Sequence, residues 1–229
     1  METSNYTQSE LLYRDKDENY FAHPRNEILI ALSEANIDLN GKKVLDLGCG
    51  NAAFKGTLLK HFRIANYQGV DFHSVNNELI KMDLDNVSGE QIKVLIEEFD
   101  PDVVFLNDVL EHLLNGERLL KLLRDSPLKS DILLIISLPN IRFYPVLKNL
   151  LFKGDFKYEN SGVLDKTHLR FYTAKSFLRL VSEIGLKPIH VVGINAPKGR
   201  LGLLIKLLGT VFKIEDTLYP QYLYVLKYK

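Results

Sequence analysis

The sequence is poor in the features that staple a chain, anchor it in a membrane or coat it with charge. Its single cysteine, Cys49, cannot make an intramolecular disulfide. None is needed: a domain of this size buries about 70–75% of its unfolded surface, enough for a core without staple or structural metal. The opening METSNYTQSE lacks the basic-then-apolar layout of a secretory leader, so the expected location is cytoplasmic. No apolar run approaches the roughly 20 residues that span a bilayer. The nearest, Leu201 to Phe212, is interrupted by Lys206. As an amphipathic helix it leaves open peripheral membrane contact, a homodimer contact and ordinary core packing.

Net charge is also missing, with 29 Lys+Arg against 29 Asp+Glu. A protein that coats nucleic acid without sequence preference needs a basic excess to release counterions, so there is no strong nucleic-acid signal. The neutrality is divided along the chain. Residues 1–115 hold 10 basic and 20 acidic side chains, and residues 116–229 hold 19 and 9.

Residues 1–22 are polar and irregular and are expected to form a flexible N-terminal segment. Residues 23–229 read as one domain. Its first helix is predicted over Asn26 to Ala35, where Ile28, Leu29, Ala31 and Leu32 recur at helical spacing. From Lys43 short apolar runs end in acidic residues or glycine: KKVLDLGCG, YQGVDF, DVVFLND and DILLIISLPN. Apolar on both faces, they fit buried parallel strands. Helical segments lie between them at Phe54–His61, Gly89–Phe99 and Gly116–Arg124. This alternation predicts an α/β, Rossmann-like doubly wound sheet. After Pro139 the rhythm breaks for an insertion over about 140–172, at the strand end where substrate loops sit in such folds. Thr173 is placed to cap a helix carrying Phe177, Leu178, Val181 and Ile184, and Gly185 to end it. Strands over Pro188–Ile194 and Tyr222–Tyr228 complete the pattern.

The chemistry signal is VLDLGCGNAAF, residues 44–54. A strand enters a loop at Gly48 and Gly50, where missing side chains let backbone amides approach a ligand. Read as G-x-G-x-x-A the loop suits a dinucleotide; read as D-x-G-x-G from Asp46 it suits S-adenosylmethionine. A carboxylate at Asp46 repels a pyrophosphate and attracts an ammonium and a sulfonium, which favours the second. Asp71, 21 residues after Gly50, is placed to accept both ribose hydroxyls of an adenosine. Asp83 could accept the adenine amino hydrogen, with Met82 covering the ring. Asn107 and Asp108 fall at the ligand edge of the fourth strand, and Glu111 and His112 lie just beyond.

These motifs resemble those of class I S-adenosylmethionine-dependent methyltransferases: VLDLGCG first, GVD second, MDL third and NDVLEHL fourth. The stretch SLPNIRFYPVLKNLLFKGDFKYENSGVLDKTHLRFYT is similar to a subgroup associated with glycan and surface-polysaccharide biosynthesis. The resemblance implies a seven-stranded sheet with an antiparallel last strand. It implies S-adenosylmethionine as cofactor and S-adenosylhomocysteine as product. Asp46, Gly48, Cys49 and Gly50 would surround the methionine part, Asp71 and Phe72 the ribose, and Met82 and Asp83 the adenine. Asn107 and Asp108 would lie near the amino-acid or methyl end. Cys49 reads as small packing between glycines, since no base neighbours it. The commonest first motif has a further glycine where Ala52 stands here.

An oxygen acceptor loses a proton on methylation, a task suited to His112 or His168. Arg170 and Tyr172, alternating with Leu169 and Phe171 as on a hairpin or lid, are candidates to bind a sugar or phosphate. With Lys148, Lys153, Lys157 and Lys166 they make the insertion basic. The expected acceptor is a small molecule or glycan intermediate, anionic or lipid-linked, and no metal ligands are expected. A nicotinamide-dependent oxidoreductase and a non-catalytic S-adenosylmethionine-binding module stay open as alternatives.

Overall fold

The computed structural model describes residues 22–73, 78–197 and 214–228, together with Tyr13, Lys16 and Tyr20. The amphipathic run 201–212 lies outside the described residues, as does most of the segment 1–22. Seven strands form one sheet: β1 (Lys43–Leu47), β2 (Asn66–Asp71), β3 (Ile80–Lys81), β4 (Val103–Asn107), β5 (Leu133–Pro139), β6 (Leu186–Ile194) and β7 (Gln221–Tyr228). Their order is β3-β2-β1-β4-β5-β7-β6. The first five are parallel, and β7 runs antiparallel to both β5 and β6. The expected sheet with its antiparallel last strand is therefore the one observed.

Among the described residues six α-helices flank it: α1 (Asn26–Glu34), α2 (Ala53–His61), α3 (Gly89–Phe99), α4 (Gly116–Arg124), α5 (Tyr144–Lys153) and α6 (Ala174–Ile184). The central strands are apolar on both faces because each face is covered. On β4, Val103 and Phe105 join a core with Ile28 and Leu32 of α1 and Phe54 and Leu58 of α2. Val104 and Leu106 face the opposite core, with Ile92 of α3, Leu119 of α4 and Phe177 of α6. Local signals set the helix ends. Ser88 and Gln91 form a reciprocal capping box at α3, as Thr173 and Ser176 do at α6. Gly185 ends α6 at φ 90, a conformation that side chains rarely adopt.

The strand order reverses between β1 and β4, the switch point at which open α/β sheets leave a crevice beyond the strand ends. The insertion after β5 holds α5, with a proline in its first turn, and a turn-rich return over 154–172. It is neither a hairpin nor a free lid. Its 169–172 segment is tied to the chain beyond β4, because the Leu169 and Arg170 amides both donate to the Glu111 carbonyl, at 2.7 and 2.9 Å. The insertion thus borders the crevice with its segment 160–168.

Candidate active site

A cavity of about 1140 Å³ opens at the switch point. The ends of β1 to β4 supply one wall: Asp46, Gly48, Cys49, Gly50, Asp71, Phe72, Met82, Asp83, Asn107 and Asp108. All ten residues proposed from the sequence for the cofactor therefore come together. Glu111, His112 and the loop from Asn160 to His168 supply the other wall.

The glycine loop does its work differently from the expectation. Its amides are consumed internally rather than turned to a ligand: Gly48 and Cys49 both donate to the Val70 carbonyl, at 2.7 and 3.2 Å, and Gly50 donates to Asp71 Oδ2 at 2.8 Å. What Gly48 offers is room. It stands at φ 75, and a Cβ there would come within 2.4 Å of Val109 Cγ2. Cys49 packs over Gly69, whose own Cβ would come within 2.7 Å of the thiol sulfur. Burial pushes that thiol's pKa up, the reverse of an activated nucleophile.

Asp46 is 2% exposed, and burial pushes its carboxyl up to about 6. The Tyr67 hydroxyl, donating at 2.7 Å, and the Arg25 charge oppose that push. Asp71 is likewise raised by burial; its second oxygen accepts from the His73 amide at 2.8 Å. Asp83 accepts from the Asp85 amide and from Asn86 Nδ2. Asn107 is 2% exposed, and its side-chain oxygen and nitrogen have no hydrogen-bond partner among the described residues. A buried amide without a partner is costly, so a ligand that pairs with it gains.

Asp108 is used by the fold. It accepts from Ser137 Oγ at 2.7 Å and from Gln221, and it pairs with Arg25. Burial opposes its charge, but Arg25 and these donors hold its carboxyl below the usual range. His112 Nδ1 lies 3.1 Å from the Thr167 carbonyl, and His168 Nδ1 lies 3.0 Å from that of Val163. A carbonyl only accepts, so each Nδ1 carries the proton and each Nε2 the lone pair. Desolvation, with His168 adding to it, pushes His112 down to about 4, and burial lowers His168 also. Both rings are therefore neutral near pH 7.

The substrate-binding expectation for Arg170 and Tyr172 is corrected: neither is on the cavity wall. Arg170 is exposed and donates to the Leu114 carbonyl, at 2.9 Å from Nε. Tyr172 turns to the core, its ring 5.6 Å from that of Phe177. Lys148, Lys153 and Lys157 are exposed away from the cavity, and only Lys166 of the basic set borders it.

Other wall residues were not singled out in the sequence. Lys16 pairs with Asp165 at 2.9 Å, and the Tyr20 and Thr167 hydroxyls share a hydrogen bond of 2.9 Å. The Tyr13 ring lies 5.2 Å from Phe72 and 5.6 Å from His112. These three residues of the supposedly loose N-terminus thus dock on the site. No local periodicity could announce contacts made across such separations. Although no metal ligands were expected, the fold also gathers one ligand atom each from Glu111, His112 and His168 within 4.8 Å of one another.

The family described as "Methyltransferase domain" matches residues 15–191. No curated protein matches the sequence. Among solved structures, an S-adenosylmethionine-dependent methyltransferase from Archaeoglobus fulgidus is 19% identical, with a TM-score of 0.59 over 92% of this chain and 97% of the other. One from Mesorhizobium loti is 16% identical, with a TM-score of 0.53 over 86% and 96%. One from Anabaena variabilis is 16% identical, with a TM-score of 0.58 over 92% and 87%.

Proposed function

The chain belongs to the methyltransferase-domain family, and we propose that it transfers the methyl group of S-adenosylmethionine to an oxygen of a small-molecule, sugar or glycan-intermediate acceptor. The observation that carries this reading is the two-walled cavity, with buried carboxylates at one end and imidazole and carboxylate donors at the other. The set of acceptors fits the cofactor: Asp46 complements a cationic amino-acid end, Asp71 the ribose hydroxyls, and Asp83 the adenine amino group, with Met82 beside the ring. Gly48 leaves the space, and the unpartnered Asn107 amide offers both a donor and an acceptor. When bound, the sulfonium supplies an already electrophilic methyl carbon. The protein's part is then to align an acceptor oxygen with it and to exclude water. Glu111, His112 and His168 occupy the wall where that oxygen would approach, and the loop 160–168 closes over it.

Asp46 weighs against the nicotinamide alternative, since its position beside the loop repels a pyrophosphate. A solved structure of the plantazolicin methyltransferase BamL, 15% identical, contains S-adenosylhomocysteine and a triazolic analog, an example of a small-molecule acceptor on this fold. A lipid-linked version of the acceptor is supported by α5. Leu151 and Phe152 are 74% and 82% exposed there, beside exposed Lys148 and Lys153. Among the described residues no helix is long and apolar enough to cross a membrane; a cytoplasmic enzyme meeting a bilayer surface through α5 fits that arrangement.

Calorimetry with S-adenosylhomocysteine and NAD, followed by labelled-methyl transfer to fractionated cell extract, tests the reading. Binding of the first ligand alone, with label appearing in a small-molecule or lipid fraction, is the expected result. Binding without transfer to any fraction would favour a non-catalytic module.

A further inference from the structure

Glu111 is the most anomalous side chain in the cavity. It is 1% exposed, and both carboxylate oxygens lack a hydrogen-bond partner among the described residues. A buried carboxylate with no compensating donor is expensive to keep, so the position calls for a cation or a proton. Arg25, the cation that acts on it, is committed to Asp108, and Lys16 on the same cavity wall is committed to Asp165. Two imidazoles stand next to it, their ring centroids 4.8 Å apart. Each has its Nδ1–H fixed by a backbone carbonyl, which leaves Nε2 unprotonated. That outer-shell arrangement is the one that orients and fixes the tautomer of metal-ligating histidines.

We propose that Glu111, His112 and His168 form a divalent metal site, in which one carboxylate oxygen and two Nε2 atoms coordinate a first-row ion of the Zn²⁺, Mn²⁺ or Co²⁺ type. Two nitrogen donors favour such ions over Mg²⁺ and Ca²⁺, which prefer all-oxygen shells. One ligand atom from each of the three residues lies within 4.8 Å of the others. Around an ion at about 2.1 Å they would stand roughly 3.0–3.5 Å apart, so the set must close by about 1.5 Å. Three protein ligands leave open positions on the cavity side, and there the ion holds an acceptor hydroxyl and makes it a stronger acid, its proton passing to water. The metal site stands on the geometry alone, and its acceptor role rests on the methyltransferase reading. His112 and His168 then serve as ligands rather than as a general base, because one Nε2 lone pair cannot do both.

The test uses the full chain, stripped with chelator and titrated with Co²⁺, Zn²⁺ and Mg²⁺. The expected result is one equivalent of Co²⁺ with a visible d–d spectrum, displacement by Zn²⁺ and no saturable response to Mg²⁺. Glu111→Gln and His168→Asn should weaken Co²⁺ binding by ~100-fold or more, with S-adenosylhomocysteine affinity unchanged as the measure of an intact fold. Because a variant can fail to fold, the wild-type chain is also treated with diethyl pyrocarbonate, from which Zn²⁺ should protect both histidines. No saturable uptake by the wild-type chain, or uptake equal in the variants, overturns the site. S-adenosylhomocysteine binding without metal uptake overturns this inference and leaves the methyltransferase reading standing; metal uptake without it does the reverse.

Discussion

Arg25 closes an ion pair on Asp108, and both residues hold left-handed backbone conformations, at φ 51 and φ 53. One precedes α1 and the other follows β4, so the pair ties the N-terminal helix to the strand end where the cavity opens. Non-glycine residues keep such conformations only where their surroundings over-determine them. Arg25→Met removes the cation and leaves Asp108 with neutral donors, which should cost about 1.5–3 kcal/mol in urea unfolding at pH 7. Arg25 holds the Asp108 carboxyl below its ordinary range against the penalty of burial. The stabilisation is therefore complete above the unfolded carboxylate value and is lost as pH falls through the lowered one. In the variant the acid limb from this group should be shallower, so that the two stability profiles converge at low pH, and Arg25→Lys should restore part of the difference at pH 7.

How much of this was legible in the sequence depended on the range of the contact. β1, β4 and β5 announced themselves as apolar runs, and the α6 caps as Thr173 and Gly185 at the right spacing. The wall proposed for the cofactor was legible because it is a row of strand ends, each marked by a local motif. Lys16 and Asp165 are 149 positions apart, and Arg25 and Asp108 are 83; neither pair leaves a periodic trace. The two-residue β3 is too short to carry a pattern. In LRFY the alternation suggested a hairpin or lid, and it could not say which side chains would face the cavity. Tyr172 went to the core and Arg170 to the Leu114 carbonyl.

Gly48 and Ala52 make opposite predictions within one loop. Gly48→Ala places a methyl group 2.4 Å from Val109 Cγ2 at φ 75, and overpacking together with a left-handed alanine should cost more than about 2 kcal/mol. Ala52 already stands at φ 61 with a side chain. Ala52→Gly relieves about 1–2 kcal/mol of left-handed strain and gives back about 0.4–1 kcal/mol in unfolded-chain entropy, so the net effect should be a small gain. Thermal midpoints of the two variants should fall on opposite sides of the parent's.

Asp46 gives the cofactor step a pH dependence. Its carboxyl is raised to about 6 because burial penalises the charge. The folded protein therefore holds this proton more tightly than the unfolded chain, and the ligand-free protein should lose stability from this group as pH rises from about 4 to 6. A cationic cofactor end favours the ionised form, so S-adenosylhomocysteine affinity should climb over pH 5 to 7. Tyr67→Phe deletes the 2.7 Å hydroxyl bond that favours the charge. Its binding curve should shift to higher pH and show about a tenfold loss at pH 7, since hydrogen bonds to charged groups are worth roughly 1.5–3 kcal/mol. Coincident curves for the two proteins would dissociate Asp46 from the cofactor's cationic end.

Lys16 and Tyr20 meet the wall proposed for the acceptor, and on that reading they should affect one substrate only. Lys16 Nζ reaches both oxygens of Asp165, at 2.9 and 3.0 Å, and Asp165 in turn accepts from the amide and hydroxyl of Thr167, at 2.8 Å each. Thr167 completes the circuit through the Tyr20 hydroxyl and fixes His112 through its own carbonyl. This network holds the loop 160–168 over the cavity at the end away from the glycine loop. Removing both N-terminal partners, as Lys16→Met with Tyr20→Phe, should take about 1 kcal/mol from each contact. The acceptor KM should then rise about tenfold or more, since 1.4 kcal/mol is a factor of ten, while S-adenosylhomocysteine affinity stays at the parent value. A parallel loss of cofactor affinity would mean that the latch supports the whole cavity instead of its acceptor wall alone.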